Sequence, residues 1–397
     1  ISKWITIENN SDKAVTVDGF KNEMLAFPEP ENAVDKPEQW LRPNMHVESD
    51  YAFGGFSASS ANHTIFYEKD PEYTSQVNWD LETPCLLESK LKVGPNKLLQ
   101  PKETFESFHT YELLLDGTDR ERNSLSKRKM YRLLAPWSTE NPIFMHLTST
   151  DSTEVVSAID QCKETGYEMV ILSFGSGLNM EDTTAVNIQK FKNLADYAHG
   201  KGIELGGYSL FSSRRISDAV DVIDKKTGKP GGAKFGNAPC LASEWGESYI
   251  EKLKYFLDKT GFDLLEHDGP YPGDFCASTS HKHHKGYEDS QWEQWKMTTD
   301  FYHWLKDKRI YLNAPDFYYL NGSNKCGIGY REVNWSLPRE QQIMLGRQNI
   351  YDGTWEKTPS MAWTFVPLTE YHGGGEEATL EPLSKHLLDY EKHMVQN

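Results

Sequence analysis

Hydrophobic and polar residues change rhythm once along this chain. Over residues 1–115 they alternate in short runs. WITIENNSDKAVTVDGF (4–20) reads as two strands, Trp4, Ile5, Ile7 and then Val15, Val17, on either side of an Asn-Asn-Ser-Asp turn. TIFYE (64–68), CLLESKLKV (85–93) and TFESFHTYELLL (104–115) continue the pattern, with turn residues between them and no long helical period. A β-sandwich portion is expected. TDRERNSLSKRKMYRLL (118–134) then reads as a charged helix leading to a hinge at Pro136-Trp137.

From residue 143 strands and helices alternate. IFMHLT (143–148) is an apolar strand. Val155, Ala158, Ile159 and Cys162 fall at i, i+3, i+4 and i+7, predicting a helix that Gly166 closes. YEMVILSFGSG (167–177) is a strand entering a glycine loop, followed by a helix over 186–200 and a third strand, GIELGGYSLF (202–211). After a long Gly-rich insertion, a helix over 244–259 carries Tyr249, Ile250, Leu253, Phe256 and Leu257 on one face. A fourth strand ends in LLEHD (264–268), a helix spans 287–307, and RIYLNAPD (309–316) is the fifth strand. GIGYREVNW, GRQNIYDG and MAWTFVPL are further strand candidates, and a helix over 379–395 ends the chain.

Such alternation predicts parallel β/α units, with a (β/α)8 TIM barrel as the leading arrangement and a doubly wound sheet as the alternative. No GxGxxG-type fingerprint follows the first strand, which argues against a dinucleotide fold. The implied division is a partial β-sandwich domain over 1–117, a helical linker over 118–142 and a barrel domain over 143–397.

Composition narrows the function. The 397 residues carry a formal charge of −17, which argues against nucleic acid or an anionic membrane as partner, since both require clustered Lys and Arg. There is no apolar run long enough to span a bilayer. Eleven Trp and 20 Tyr beside many carboxylates suit a carbohydrate cleft. The five cysteines are widely spaced, odd in number and contain no C-x-x-C pair, which argues against a disulfide framework or a zinc site. The HKHH run (281–284) is expected to face water and Cys276 to be a buried small residue, so neither a metal nor a cofactor is expected. ISKWITIENN enters in mid-strand without a Met, which reads as a mature form or a piece of a longer protein.

In a barrel, chemistry sits at the C-terminal ends of the strands. The polar residues there are His146, Ser173, Tyr208 with Arg214 and Arg215, Glu266 with Asp268, Asn313 with Asp316, Arg331 with Glu332, and Glu370 with Tyr371 and His372. Carboxylates flanked by arginine, tyrosine and tryptophan fit acid/base work on a sugar. Glycoside cleavage needs one carboxyl as nucleophile or base and another as proton donor, and two different strands supply that spacing. Asp268 closes strand four and Glu332 lies near the end of strand six. Arg331 beside Glu332 reads equally well as a plain ion pair. His267 alternates to the other side of its strand and reads as structural.

These residues bring a resemblance into view. The order β-sandwich, helical linker, barrel is similar to glycoside hydrolase clan D, the alpha-galactosidase group, in particular family 36 and its divergent relatives. LLEHDG resembles that group's strand-four Lys-x-Asp motif and places Asp268 on its nucleophile. YREVNWSLPREQQIMLG resembles the segment that holds the acid/base and the following helix, with Glu332 within one position of the acid; SMAWTFVPL (360–368) resembles the next strand. The resemblance implies a retaining alpha-glycosidase with Asp268 as nucleophile and Glu332 as acid/base, acting on an oligo- or polysaccharide. Tyr208, Glu266, Asp316, Arg331, Trp363 and His372 are then the expected substrate contacts, with Trp335 or Trp363 raising the pKa of Glu332. A homo-oligomer and a periplasmic or secreted location are implied by the resemblance alone.

Two departures matter. The group's Asp-Asp-Gly-Trp segment at strand two is replaced by Ser173-Phe174-Gly175-Ser176-Gly177, and the lysine two before the nucleophile by Glu266. Both changes point away from an unmodified galactoside. The chain also stops at Gln396-Asn397, after what counts as a seventh helix, so an incomplete barrel is expected. Two alternatives stay open: Asp316 as the proton donor, or a carbohydrate-binding barrel without hydrolysis.

Overall fold

The structure, a computed structural model, describes residues 1–28, 42–51, 63–73, 81–138, 142–211, 213–232, 236–268, 273–315, 327–330, 338–355 and 382–396. Six parallel strands form one sheet in chain order: Phe144–Leu147, Met169–Leu172, Glu204–Leu210, Leu264–Asp268, Tyr311–Pro315 and Gly327–Tyr330. The order never reverses, whereas a doubly wound sheet reverses at its switch point. Helices Ser152–Thr165, Ala185–Lys201, Glu244–Thr260 and Tyr287–Asp307 connect the first five strands. The first begins where the Asp151 carboxylate accepts the backbone N–H groups of Thr153 and Glu154, and ends at Gly166, whose φ of 82° lies in the left-handed region that glycine adopts without strain.

Register sorts the side chains into two faces. Phe144, Met169, Gly206, Leu264 and Tyr311 share one face, and Met169, Ile171 and Leu264 form a buried cluster there with Phe144 and Tyr311 packed against it. His146, Tyr208, Glu266 and Asn313 continue this face toward the C-terminal strand ends. Val170, Leu172, Leu205, Leu265 and Leu312 point the other way into the main core, against Val155, Ile159, Leu194, Leu253 and Phe256 of the helices. Each fully buried leucine there contributes about 1.5–3 kcal/mol relative to exposure.

The described residues among the first 115 form several small antiparallel sheets. The two expected opening strands exist as Thr6–Glu8 and Val15–Val17, but they are not a hairpin. The former pairs with Thr104–Glu106 and the latter with Lys97–Leu99. Strands Lys21–Ala26, Met45–Ser49 and Lys97–Leu99 were not expected, and 104–115 splits into Thr104–Glu106 and Thr110–Leu114. GRQNIYDG, expected as a strand, lies within the helix Arg339–Trp355. The charged helix is Arg120–Leu134, and the last helix is Leu387–Gln396.

This β portion seats on the helix Tyr287–Asp307. Trp292 stacks on Tyr51 with ring centroids 5.8 Å apart, Phe105 lies 5.3 Å from Trp292, and the Trp295 indole N–H donates to the Asp50 carbonyl at 3.2 Å. Lys97 pairs with Glu293 at 2.6 Å. No helix among the described residues is long and apolar enough to cross a membrane.

Candidate active site

Alternation along Leu264–Asp268 sends Glu266 and Asp268 to the face shared with Tyr208 and Asn313, and His267 to the helices. Glu266 is 1% exposed, and three side chains from other strands or strand ends converge on it. The His146 ring meets Oε2 through Nε2 at 2.6 Å, the Asn313 amide donates to Oε2 at 2.7 Å, and the Ser173 hydroxyl donates to Oε1 at 3.2 Å. A buried carboxylate is tolerable only with such a set of donors. Glu266 thus ties the first, second, fourth and fifth strands together at one point.

Asp268 lies one step further toward the strand end and is partly exposed. The Tyr208 hydroxyl donates to its Oδ2, and its backbone carbonyl accepts the N–H of Phe211 at 2.9 Å. Phe174, just past the second strand, is 44% exposed and meets the Tyr208 ring edge-on at 5.5 Å. An exposed aromatic beside a carboxylate offers a surface for the apolar face of a sugar. Phe174 was not among the expected contacts, although a large aromatic inside a Ser/Gly loop at a strand end was a signal for it. Arg214 is held by Glu181 at 2.7 Å and lies over the Trp245 ring at 4.9 Å, while Arg215 pairs with Asp218.

His267 is 2% exposed and sits between the hydroxyls of Tyr249 and Tyr302, 3.0 Å from each. Burial, with the Arg214 charge nearby, pushes its pKa down to about 3, so it is neutral in the fold. Its structural role follows from its partners, both on helices outside the sheet.

The HKHH run departs from its expected place in water. Lys282 is exposed and pairs with Glu247 at 2.6 Å, with His283 3.3 Å from the same carboxylate. His281 and His284 are buried, and they meet Cys240 and Cys276. Cys276 is buried, as expected, but its meeting with Cys240, His281 and His284 was not anticipated from the spacing of the cysteines. Cys276-x4-His281-x2-His284 was the available signal; Cys240 comes from a different loop. Asp316, Arg331, Glu332, Trp335, Trp363, Glu370, Tyr371 and His372 lie outside the described residues.

The sequence matches no protein-family model and no curated protein. In structure the chain is similar to the galactosidase domain of the alpha-galactosidase–sucrose kinase AgaSK, with TM-score 0.55 and 13% identity over 100% of this chain and 63% of that one. It is also similar to the GH36 alpha-galactosidase AgaA from Geobacillus stearothermophilus, with TM-score 0.54 and 11% identity over 99% of this chain and 62% of that one. A third neighbour is the alpha-galactosidase from Lactobacillus brevis, with TM-score 0.50 and 14% identity over 78% of this chain and 49% of that one. The chain therefore spans 49–63% of these proteins' length. What they share with it is the fold, which is alpha-galactosidase-like.

Proposed function

We propose that this chain carries the catalytic part of a retaining alpha-glycosidase of clan D, built on a (β/α)8 barrel preceded by a β-sandwich, and that its substrate is an alpha-linked galactoside bearing a modification. The observation that carries the reading is Asp268: a partly exposed carboxylate at the C-terminal end of the fourth parallel strand, held by the Tyr208 hydroxyl, in an alpha-galactosidase-like fold.

In this reading Asp268 attacks the anomeric carbon as the bond to the leaving oxygen breaks, while Glu332 gives that oxygen its proton. A glycosyl ester on Asp268 results. Glu332, now a carboxylate, takes a proton from water, and the water oxygen displaces Asp268 to complete net retention. The Tyr208 hydroxyl donates to Oδ2 and so fixes the orientation of the carboxylate.

Glu266 stands where the resembled motif has a lysine, and its oxygens already engage His146, Asn313 and Ser173. Its part in binding is therefore to hold those groups, so that His146 and Tyr208 meet the sugar in place of an ammonium. Phe174 adds a stacking surface, and Asp316, Arg331, Trp363 and His372 complete the proposed contacts. The test is turnover of a panel of aryl alpha-glycosides, galactosides and modified galactosides included. Release that is lost in Asp268→Gly and restored by azide with inverted product geometry supports the nucleophile. Unchanged release in that variant refutes it.

A further inference from the structure

Cys240, Cys276, His281 and His284 are all buried, and one donor atom from each lies within 4.8 Å of every other. Cys276 Sγ is 3.5 Å from His281 Nδ1, Cys240 Sγ is 3.5 Å from His284 Nε2, and the two ring nitrogens are 3.1 Å apart. A tetrahedron with Zn–S near 2.3 Å and Zn–N near 2.0–2.1 Å has S–N edges of about 3.6 Å and an N–N edge of about 3.3 Å. Those three of the six donor–donor distances are close to the edges of such a shell, and the others lie within 4.8 Å.

Protonation sharpens the case. The other nitrogen of each ring faces a backbone carbonyl: His281 Nε2 lies 3.1 Å from the Ala219 oxygen, and His284 Nδ1 lies 3.1 Å from the Gly286 oxygen. A carbonyl can only accept, so those nitrogens carry the hydrogens. In neutral imidazoles the facing pair, His281 Nδ1 and His284 Nε2, then bear lone pairs directed at one another. A cation shared by the two rings accounts for that N–N contact, as would a proton held between them, and the metal-binding test below separates the two. Ring N–H groups anchored on carbonyls are also the usual outer shell of metal-bound histidine. The Ile223 N–H points at Cys276 Sγ from 3.4 Å, a further donor suited to a thiolate.

The donor set selects the metal. Two thiolates and two imidazoles in a closed, buried, four-coordinate arrangement favour zinc, with no position left open for a reacting water. The seat is apolar, formed by Val222 and Ala242 with Ile223 and Met297 against it.

We propose that Cys240, Cys276, His281 and His284 bind one structural zinc ion, which staples the loop after the third parallel strand to the loop after the fourth. Cys240 belongs to the connection from Leu210 to Glu244, a stretch whose only β pairing among described residues is two isolated bridges. Long irregular connections in compact domains are uncommon, and a metal tether is one way to order such a stretch. The three other ligands lie between Asp268 and the helix Tyr287–Asp307, so the ion fixes the rim on the side of the sheet that carries Asp268. This inference is independent of the sugar chemistry.

The test is metal analysis of the untagged full chain purified without chelator. About one zinc per chain is expected, falling to background in Cys240→Ser and in His284→Ala. Because those variants can misfold, unaltered protein is also stripped, reduced and titrated with Co2+ alone. Thiolate-to-cobalt charge transfer with tetrahedral d–d bands, both displaced by Zn2+, is the predicted spectrum. Metal removal should also speed proteolysis within 211–243. A metal-free preparation that takes up neither ion, zinc retained by a Cys240→Ser/His284→Ala double variant, or a Cys240–Cys276 disulfide in the isolated chain would each overturn the assignment.

Discussion

His146 Nε2 lies 2.6 Å from Glu266 Oε2, although their strands are first and fourth in the sheet. Three strand spacings in a flat sheet amount to about 14 Å, too far for these side chains to bridge above the intervening strands. The sheet is therefore curled around the face that carries Glu266. Curling of this sense is what a barrel requires, and it gathers the ends of several strands around one polar layer. The same contact places a buried carboxylate at the centre of that layer, which makes it a mechanical as well as an electrostatic joint.

Replacing Glu266 by Gln keeps the shape but sets an amide against the donors of His146, Asn313 and Ser173. At least one buried donor must lose its acceptor, at a cost of about 1–3 kcal/mol. Chemical denaturation should show a lowered midpoint with an unchanged slope. An unaffected midpoint would mean that the network adds nothing to stability.

Tyr208→Phe removes the hydroxyl from Asp268 while keeping the edge-on contact with Phe174. A hydrogen bond to a charged group contributes about 1.5–3 kcal/mol, so kcat/KM on an active substrate should fall roughly 10- to 150-fold with the fold intact. A change within twofold would remove Tyr208 from the proposed machinery.

His267 links stability to pH. Its folded pKa is depressed to about 3 from 6.5, so above pH 6.5 both folded and unfolded states leave it neutral and no penalty arises. Below that the unfolded chain binds a proton that the folded one refuses, and stability falls with each step toward pH 3, by about 1.4 kcal/mol per unit at the limit. His267→Gln should flatten the loss of Tm between pH 6.5 and 4.5 relative to the unaltered chain. Parallel curves would contradict a neutral buried His267.

Gly206 lies on the face that carries Leu264 and Glu266, where a Cβ would stand 2.5 Å from the Leu264 Cβ and 2.7 Å from the Leu264 carbonyl oxygen. The backbone of a central strand cannot give way cheaply. Gly206→Ala should destabilise the chain by about 1–3 kcal/mol, seen in thermal unfolding.

Local patterns made part of this visible beforehand. The helix expected over 287–307 is Tyr287–Asp307, and strict alternation in LLEHD separated His267 from Glu266 and Asp268. What stayed hidden were meetings between distant residues. Glu266 finds His146, Ser173 and Asn313 at separations of 120, 93 and 47 positions, which no local period reveals. Cys240 and the Cys276–His284 segment come from different loops for the same reason. In the β portion, strands of two or three residues hold too little pattern to declare their partners, so Thr6–Glu8 and Val15–Val17 looked like each other's neighbours.

In the proposed mechanism Asp268 forms a covalent bond to the sugar. The most direct measurement is mass spectrometry of the chain after incubation with a 2-deoxy-2-fluoro alpha-glycosyl fluoride, whose glycosyl ester turns over slowly. One added glycosyl unit is expected, carried on the peptide that contains Asp268 and absent from Asp268→Asn. A label on any other carboxylate, or steady hydrolysis by Asp268→Asn at the unaltered rate, would contradict it.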